Sequence, residues 1–599
     1  MSDFFIDFRE KTNRNLSKAV YLMKYFEKIT VKVFDYERFT VLLSRADDWN
    51  IWGPYEATNK KVFVALCGRI ALESEEWEKT SHIEGEGGLA CKAIYSMYKK
   101  DGVDTLKNLN GNYVVLVYDA NIQKFYIVTD RCGMLLCFKA ETGSGDMVLC
   151  SHQDILAEVT EASGNWDFTS FAEFLITGKV SFPHTYYHKI KALDYGSIHD
   201  INLSSPHAIY ESSKKYFDFN FKIDNHVSEQ DLAQELAESF KKAVNRRTLP
   251  IFGQTAISLS GGLDSRTILC SAKTRDGIKA FCFYDEENLE YRIAKDIAKE
   301  AHVELVPLKR EFDYYGDNAE MGTKISGGMG DFGSNHYLGF RSSLQNLGAE
   351  NIIAGFYCDY LFKGLVLDKK IATLSRNEVL SDFQYESYMR HYWFNTPYAD
   401  YVQERLDRLF PEDLRKDKSE IACLRIQQKR IFPLYYEPDN QETVVPQRVF
   451  GWYLPIVDND IIDTYLKIPP DYKLNASLFS RMAALQCGEK ISKITNINTG
   501  ARVDASLASL IFHRYKSSIQ RRLKKRRKSI ATDESWPNWT YYIHNSSKIE
   551  SMWKQESVPV ADVFHEITGK DPFKENLRNY RIKQVLRFLT LKLWIDQHV

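Results

Sequence analysis

The sequence predicts a protein that is α+β in its first third and α/β beyond it: an N-terminal β-rich sandwich, then a doubly wound parallel sheet, then a helical C-terminal part. Three observations carry this. Short alternating runs separated by turns fill the chain from about Lys28 to Asp200. The stretch Thr255–Leu269 reads as an apolar strand, a glycine turn and the start of a helix. After it, strands and helices alternate as far as Phe356, the pattern of a parallel sheet with crossover helices.

At 599 residues, 44% of them hydrophobic, the chain exceeds what one core usually covers, so at least two domains are expected. Its net charge is −1, from 79 basic and 80 acidic residues, and no global field argues for nucleic acid. The ten cysteines form no Cys-x-x-Cys pair and no zinc spacing, which fits reduced thiols packed as small apolar residues. There is no signal-like start and no run of about 20 apolar residues, so a cytoplasmic protein without a membrane span is expected.

In order along the chain, residues 1–28 read as a helix with Leu16, Val20, Met23 and Phe26 on one face, some 25 residues ahead of the first strand. Strands follow at Thr30–Phe34, Phe39–Leu43, Val62–Leu66, Tyr113–Tyr118, Lys124–Thr129 and Met147–Ser151, with a helix at Leu89–Lys99. A polar linker at 211–227 separates domains expected at 1–210 and 228–599. Ser228 then reads as a helix cap ahead of Leu232, Leu236, Phe240 and Val244. Beyond the glycine turn come strands at Lys279–Tyr284, Val303–Leu308 and Asn351–Phe356, a helix at Leu289–Ala301, and mostly helix from about 370.

The glycine turn carries the chemistry. Gly261 and Gly262 let the backbone turn after Ser258, and the unpaired N–H groups of a helix start, with the hydroxyls of Ser260 and Ser265, make an anion site. Asp264 beside a polyphosphate requires a divalent cation between the two, which implies Mg²⁺. Ser260-Gly-Gly-Leu-Asp-Ser265 is neither a Walker loop nor a dinucleotide turn. It resembles the pyrophosphate loop of the ATP pyrophosphatases, which cleave ATP between the α and β phosphates.

Further stretches extend the resemblance to the asparagine synthetase family, with its relatives β-lactam synthetase and the lasso-peptide cyclases. Residues 109–119, 128–133 and 174–178, with Thr185 and 194–196, are similar to the family's N-terminal glutaminase domain. That domain uses a cysteine directly after the initiator Met, and here Ser2 stands there, so the resemblance implies a sandwich that kept its fold and lost its chemistry. A takeover by another thiol such as Cys67 is the alternative. The segment Gly355-Phe-Tyr-Cys-Asp359, continuing to Gly364, is similar to the family's second motif, which implies that Asp264 and Asp359 hold Mg²⁺ on the pyrophosphate. The family's acid–base residue is replaced by Phe356, so Tyr357 takes that role or the base comes from elsewhere. By the same resemblance Gly355 belongs to the nucleotide site and Glu290 lies near it. Arg448–Asp458 runs near the synthetase pocket, and Lys490 or Lys493 stabilises charge on the α-phosphate.

The resemblance implies an ATP-dependent amide ligase that adenylates a carboxylate and captures it with an amine, releasing AMP and pyrophosphate. Asparagine synthesis from ammonia or glutamine, and a non-catalytic nucleotide sensor, are the rivals. The carboxylate substrate is a small molecule or a peptide, and a homodimer is left open. The basic run 521–528 is either a solvated face or a docking surface for an acidic peptide.

Overall fold

A computed structural model describes the chain except for residues 1–2, 59, 143–145, 225, 368–395, 507, 510–511, 514, 517–518, 520–528 and 534–535. The N-terminal part is built on two six-stranded sheets. The first uses β1 (Phe4–Asp7), β2 (Thr30–Asp35), β3 (Thr40–Arg45), β8 (Phe138–Glu141), β9 (Met147–Cys150) and β10 (Ile190–Ala192), in the order β10-β8-β9-β1-β3-β2. The second uses β4 (Tyr55–Glu56), β5 (Val62–Ile70), β6 (Gly111–Asp119), β7 (Lys124–Thr129), β11 (Ser197–Asn202) and β12 (Ile209–Lys215), in the order β12-β11-β7-β6-β5-β4.

Strand alternation sets the layering. Phe4 and Ile6 of the first sheet meet Phe63, Ala65, Cys67 and Val114 of the second in one core between them. The opposite face of the first sheet, including Phe5 and Leu42, packs with residues of helices Gln153–Val159 and Phe168–Thr177, and the opposite face of the second, including Val64, Leu66 and Val115, packs with helix Leu89–Asp101. Both sheets are thus covered by helices.

Two expectations are corrected. The first strand begins at Phe4 and lies inside the sheet, paired antiparallel with β3 and β9, while the helix near the N-terminus is the shorter Leu16–Leu22. A four-residue strand buried on both faces shows no polar alternation to read. The expected linker also starts too early. Ile209–Lys215 is an edge strand whose exposed, charged residues look like linker but pair in register with β11.

After Ser228, whose side chain accepts from the Asp231 N–H, helix Glu229–Arg247 leads into a five-stranded parallel sheet. Its strands are β13 (Thr255–Ser258), β14 (Lys279–Tyr284), β15 (Glu304–Lys309), β16 (Asn351–Ile353) and β17 (Trp452–Tyr453), in the order β15-β14-β13-β16-β17. The sheet is buried on both sides, with Ala256, Phe281 and Ile352 in one core and Ile257, Ala280 and Ile353 in another. β13 is central, so the glycine turn after it lies at the carboxyl edge where open α/β sheets bind ligands. The described residues beyond the sheet are mainly helical, ending with Ile582–Asp596.

Candidate active site

Beyond Ser258 the chain turns through Ser260–Gly262 and enters helix Leu263–Ser271. The turn is tied by its own side chains: the Ser260 N–H donates to Ser265 Oγ at 2.9 Å, the Gly262 N–H to Ser260 Oγ at 3.2 Å, and the Gly261 N–H to Glu290 Oε1 at 3.3 Å. These three N–H groups are therefore engaged, contrary to expectation. No side chain caps the helix, which leaves the first-turn N–H groups of Leu263, Asp264 and Ser265, with the helix dipole, as the donors that could meet an anion. Gly355, just past β16, meets this helix start closely. A Cβ there would lie 3.1 Å from the Asp264 carbonyl carbon and 3.1 Å from the Ser265 nitrogen.

Around the turn lies a cavity of about 460 Å³, within the range of small-molecule sites. Ser258, Ser260, Gly262, Asp264, Ser265, Glu290, Gly355, Tyr357 and Asp359 all line it, while Gly261 sits behind the lining. Asp264 and Asp359 converge on a group that no sequence motif pointed to, Lys363. Its ammonium pairs with Asp264 and, at 2.8 Å, with Asp359, and its side chain is 10% exposed. Burial, reinforced by Asp359 and opposed by Lys363, pushes the Asp264 carboxyl upward. The i,i+4 spacing of Asp359 and Lys363 was readable, but their convergence on Asp264 was not.

On the β16 side, Glu437, Asp439 and Glu442 form an acidic wall with Thr443. Burial and mutual repulsion push Glu437 up to about 8 and Glu442 well above the carboxylate range. Tyr357 stands in left-handed backbone, φ 65°, and its hydroxyl pairs with Thr443 Oγ1 at 3.3 Å. Burial and Glu437 hold its proton on, so it can donate a hydrogen bond but is poorly suited to act as a base. Phe356 packs against Trp452 and Tyr337.

Other expected residues are not brought to the cavity. Lys490 and Lys493 are exposed at the end of helix Ser477–Ser492, with Lys493 paired to Glu489, and neither lines the cavity. The loose match that suggested them came from a segment whose helix points these side chains to solvent. Arg448 turns away to pair with Asp3 at 2.9 Å, and Asp458 pairs with the buried Arg247. The basic run 521–528 lies outside the described residues.

In the N-terminal half, Ser2 also lies outside the described residues. Burial raises the Cys67 thiol to about 12, which does not suit a nucleophile. Beside it Arg45 and Arg69 both bind Asp47, at 2.8 and 3.1 Å, and Arg69 reaches Asn351 Oδ1 at 3.0 Å while lying over Trp52 and Tyr453. None of the ten cysteines is in a disulfide. No helix among the described residues is long and apolar enough to cross a membrane.

Comparison with known proteins agrees with this layout. Residues 76–216 match the model of a glutamine amidotransferase domain, and residues 235–313 match that of asparagine synthase, a range that includes the glycine turn. The chain is 21% identical over 223 residues to asparagine synthetase [glutamine-hydrolyzing] 2 of Bacillus subtilis, covering 36% of this chain and 30% of that protein. It is 25% identical over 197 residues to asparagine synthetase [glutamine-hydrolyzing] of Rattus norvegicus, covering 33% of this chain and 32% of that protein. The matched region thus spans about a third of these relatives. Among solved structures, the allosteric regulatory enzyme of purine biosynthesis superposes with a TM-score of 0.27 at 11% identity, covering 51% of this chain and 80% of that one. In its two matched domains and in these relatives, the chain is similar to the asparagine synthetase family.

Proposed function

We propose that the protein is an ATP-dependent amide ligase that adenylates a carboxylate and captures it with an amine, releasing AMP and pyrophosphate. The observation that carries this is the convergence of the phosphate turn, Asp264, Asp359 and Lys363 in one cavity whose far wall bears Glu437, Asp439 and Glu442. The helix start holds phosphate, and the substrate carboxylate attacks the α-phosphate. The acidic wall receives the amine's ammonium, whose charge favours ionisation of the wall's carboxyls, and an ionised Glu442 takes the proton the amine must lose before it attacks the acyl carbon.

Two carboxylates beside a phosphate site form a donor set that suits Mg²⁺, which usually binds through one or two carboxylates and the substrate's phosphates. Asp264 and Asp359 would hold the ion, and it would supply charge neutralisation of the leaving pyrophosphate. Their present engagement with the Lys363 ammonium supports a place built for positive charge.

The nitrogen comes from an amine rather than glutamine. The buried Arg45–Asp47–Arg69 ion pairs and the inert Cys67 support a sandwich without glutaminase chemistry. The relatives' names favour a second reading, asparagine synthesis with glutamine hydrolysis. AMP and pyrophosphate formation that depends on a carboxylate and an amine, and is unaffected by glutamine, is the expected result. Glutamine-dependent turnover would establish the second reading, and ATP binding without pyrophosphate release across a broad carboxylate panel would indicate a sensor. The substrate is a peptide or small carboxylate, and the compartment is the cytoplasm.

A further inference from the structure

The sheet order divides the cavity into two arms. β13 and its phosphate turn are central, β16 and β17 with the acidic wall lie on one side, and β14 and β15 lie on the other. The second arm is lined by Leu259, Phe283, Arg310, His336 and Trp536. Its charge is compensated, because Arg310 makes paired contacts to Asp285 at 2.9 and 3.0 Å. A nucleotide with its phosphates at the turn places its base in this aromatic arm, since the acidic arm suits the amine.

His336 is 4% exposed, and its Nε2 has no hydrogen-bond partner although the residue lines the cavity. A buried polar atom without a partner costs about 1–3 kcal/mol unless a ligand satisfies it. Its partners fix what it can offer. Arg310 Nη1 donates to the Tyr315 hydroxyl at 2.9 Å, and that hydroxyl lies 3.0 Å from His336 Nδ1. If Nδ1 carried the proton, the Tyr315 hydroxyl hydrogen would have no acceptor among the described residues, so Nδ1 accepts and Nε2 carries the hydrogen. Burial and the nearby Arg310 keep the ring neutral. Trp536, 43% exposed, lies against the imidazole at 4.5 Å between centroids and closes the arm's outer side.

We propose that the Nε2–H of His336, oriented by the Asp285–Arg310–Tyr315 chain, donates a hydrogen bond to a ring nitrogen of the bound nucleobase and selects the nucleotide. This rests on the reading of the cavity as a nucleotide site. A neutral donor suits a neutral ring acceptor, whereas phosphate is served by the helix start.

The test is calorimetric binding of α,β-methylene-ATP and of its 1-deaza, 3-deaza and 7-deaza forms to wild type, His336→Phe and His336→Gln. We expect His336→Phe to weaken the parent nucleotide about tenfold. One deaza form should lose a similar factor on wild type and nothing further on His336→Phe. His336→Gln, whose amide can donate, should recover part of the loss, and all variants should keep the wild-type unfolding temperature. Equal losses on wild type and His336→Phe for all three deaza forms, or parent binding unchanged in His336→Phe, would overturn the assignment while leaving the ligase reading intact. No binding of any nucleotide by wild type would overturn both.

Discussion

The two halves of the molecule treat buried charge in opposite ways. In the N-terminal half Arg45 and Arg69 both pair with Asp47, Asp3 binds Arg448, and the neighbouring thiol is held protonated. In the C-terminal half Asp264, Asp359, Glu437, Asp439 and Glu442 outnumber the cations beside them, and His336, which lines the cavity, has a buried Nε2 without a hydrogen-bond partner. Charges that close on each other hold a structure together. Charges and donors left uncompensated around a cavity await a ligand.

Asp264→Asn and Asp359→Asn test the open half and should have the largest effect. Each removes a carboxylate charge from the proposed metal site, and we expect AMP formation to fall by at least about a hundredfold with unchanged thermal unfolding. Turnover near wild type in either variant would remove that residue from the site.

Arg69→Ala tests the closed half. It strips a partner from the buried Asp47 and from Asn351. Breaking a buried ion pair on one side costs about 3–5 kcal/mol, so the denaturant midpoint should drop accordingly. A loss under about 1 kcal/mol would show that water enters and solvates the pair. Gly355→Ala joins the two kinds of effect. Its Cβ would press on the backbone of Asp264 and Ser265, so about 1–3 kcal/mol of stability and part of the nucleotide affinity should be lost together.

The smallest effect concerns acid. Burial opposes ionisation of Asp3, but Arg448, His152, Ser151 and Tyr25 hold its carboxyl below the usual value. Burial likewise opposes Asp458, and Arg247 and Arg246 hold it down. A depressed folded pKa gives stability that is complete above the unfolded value of about 3.9 and is lost as pH falls through the folded value. Stability should therefore decline below about pH 4, and less steeply in Asp3→Asn. Equal slopes in both proteins would mean that the Asp3–Arg448 contact contributes nothing.

The comparison also explains what was legible beforehand. The strand–glycine turn–helix was readable because a strand, two glycines and a helix start are local features of contiguous residues. Glu290 and Asp359 were readable through family motifs. The acidic wall was not, because Glu437 and Glu442 reach the cavity from a segment near β17 and carry no local pattern that distinguishes them from a solvated helix start. His336 was equally hidden, since the feature that singles it out is an unsatisfied nitrogen fixed by Tyr315 and Arg310. Strand β1 escaped notice because a short buried strand lacks alternation, and β12 because its side chains are exposed.

The most direct test of the central claim follows an oxygen atom. A carboxylate substrate labelled with ¹⁸O, turned over with ATP and an amine in the absence of glutamine, should deliver one label to AMP. This is the outcome of carboxylate attack on the α-phosphate in the C-terminal cavity. Label appearing in inorganic phosphate with ADP as product, or AMP free of label, would contradict the account.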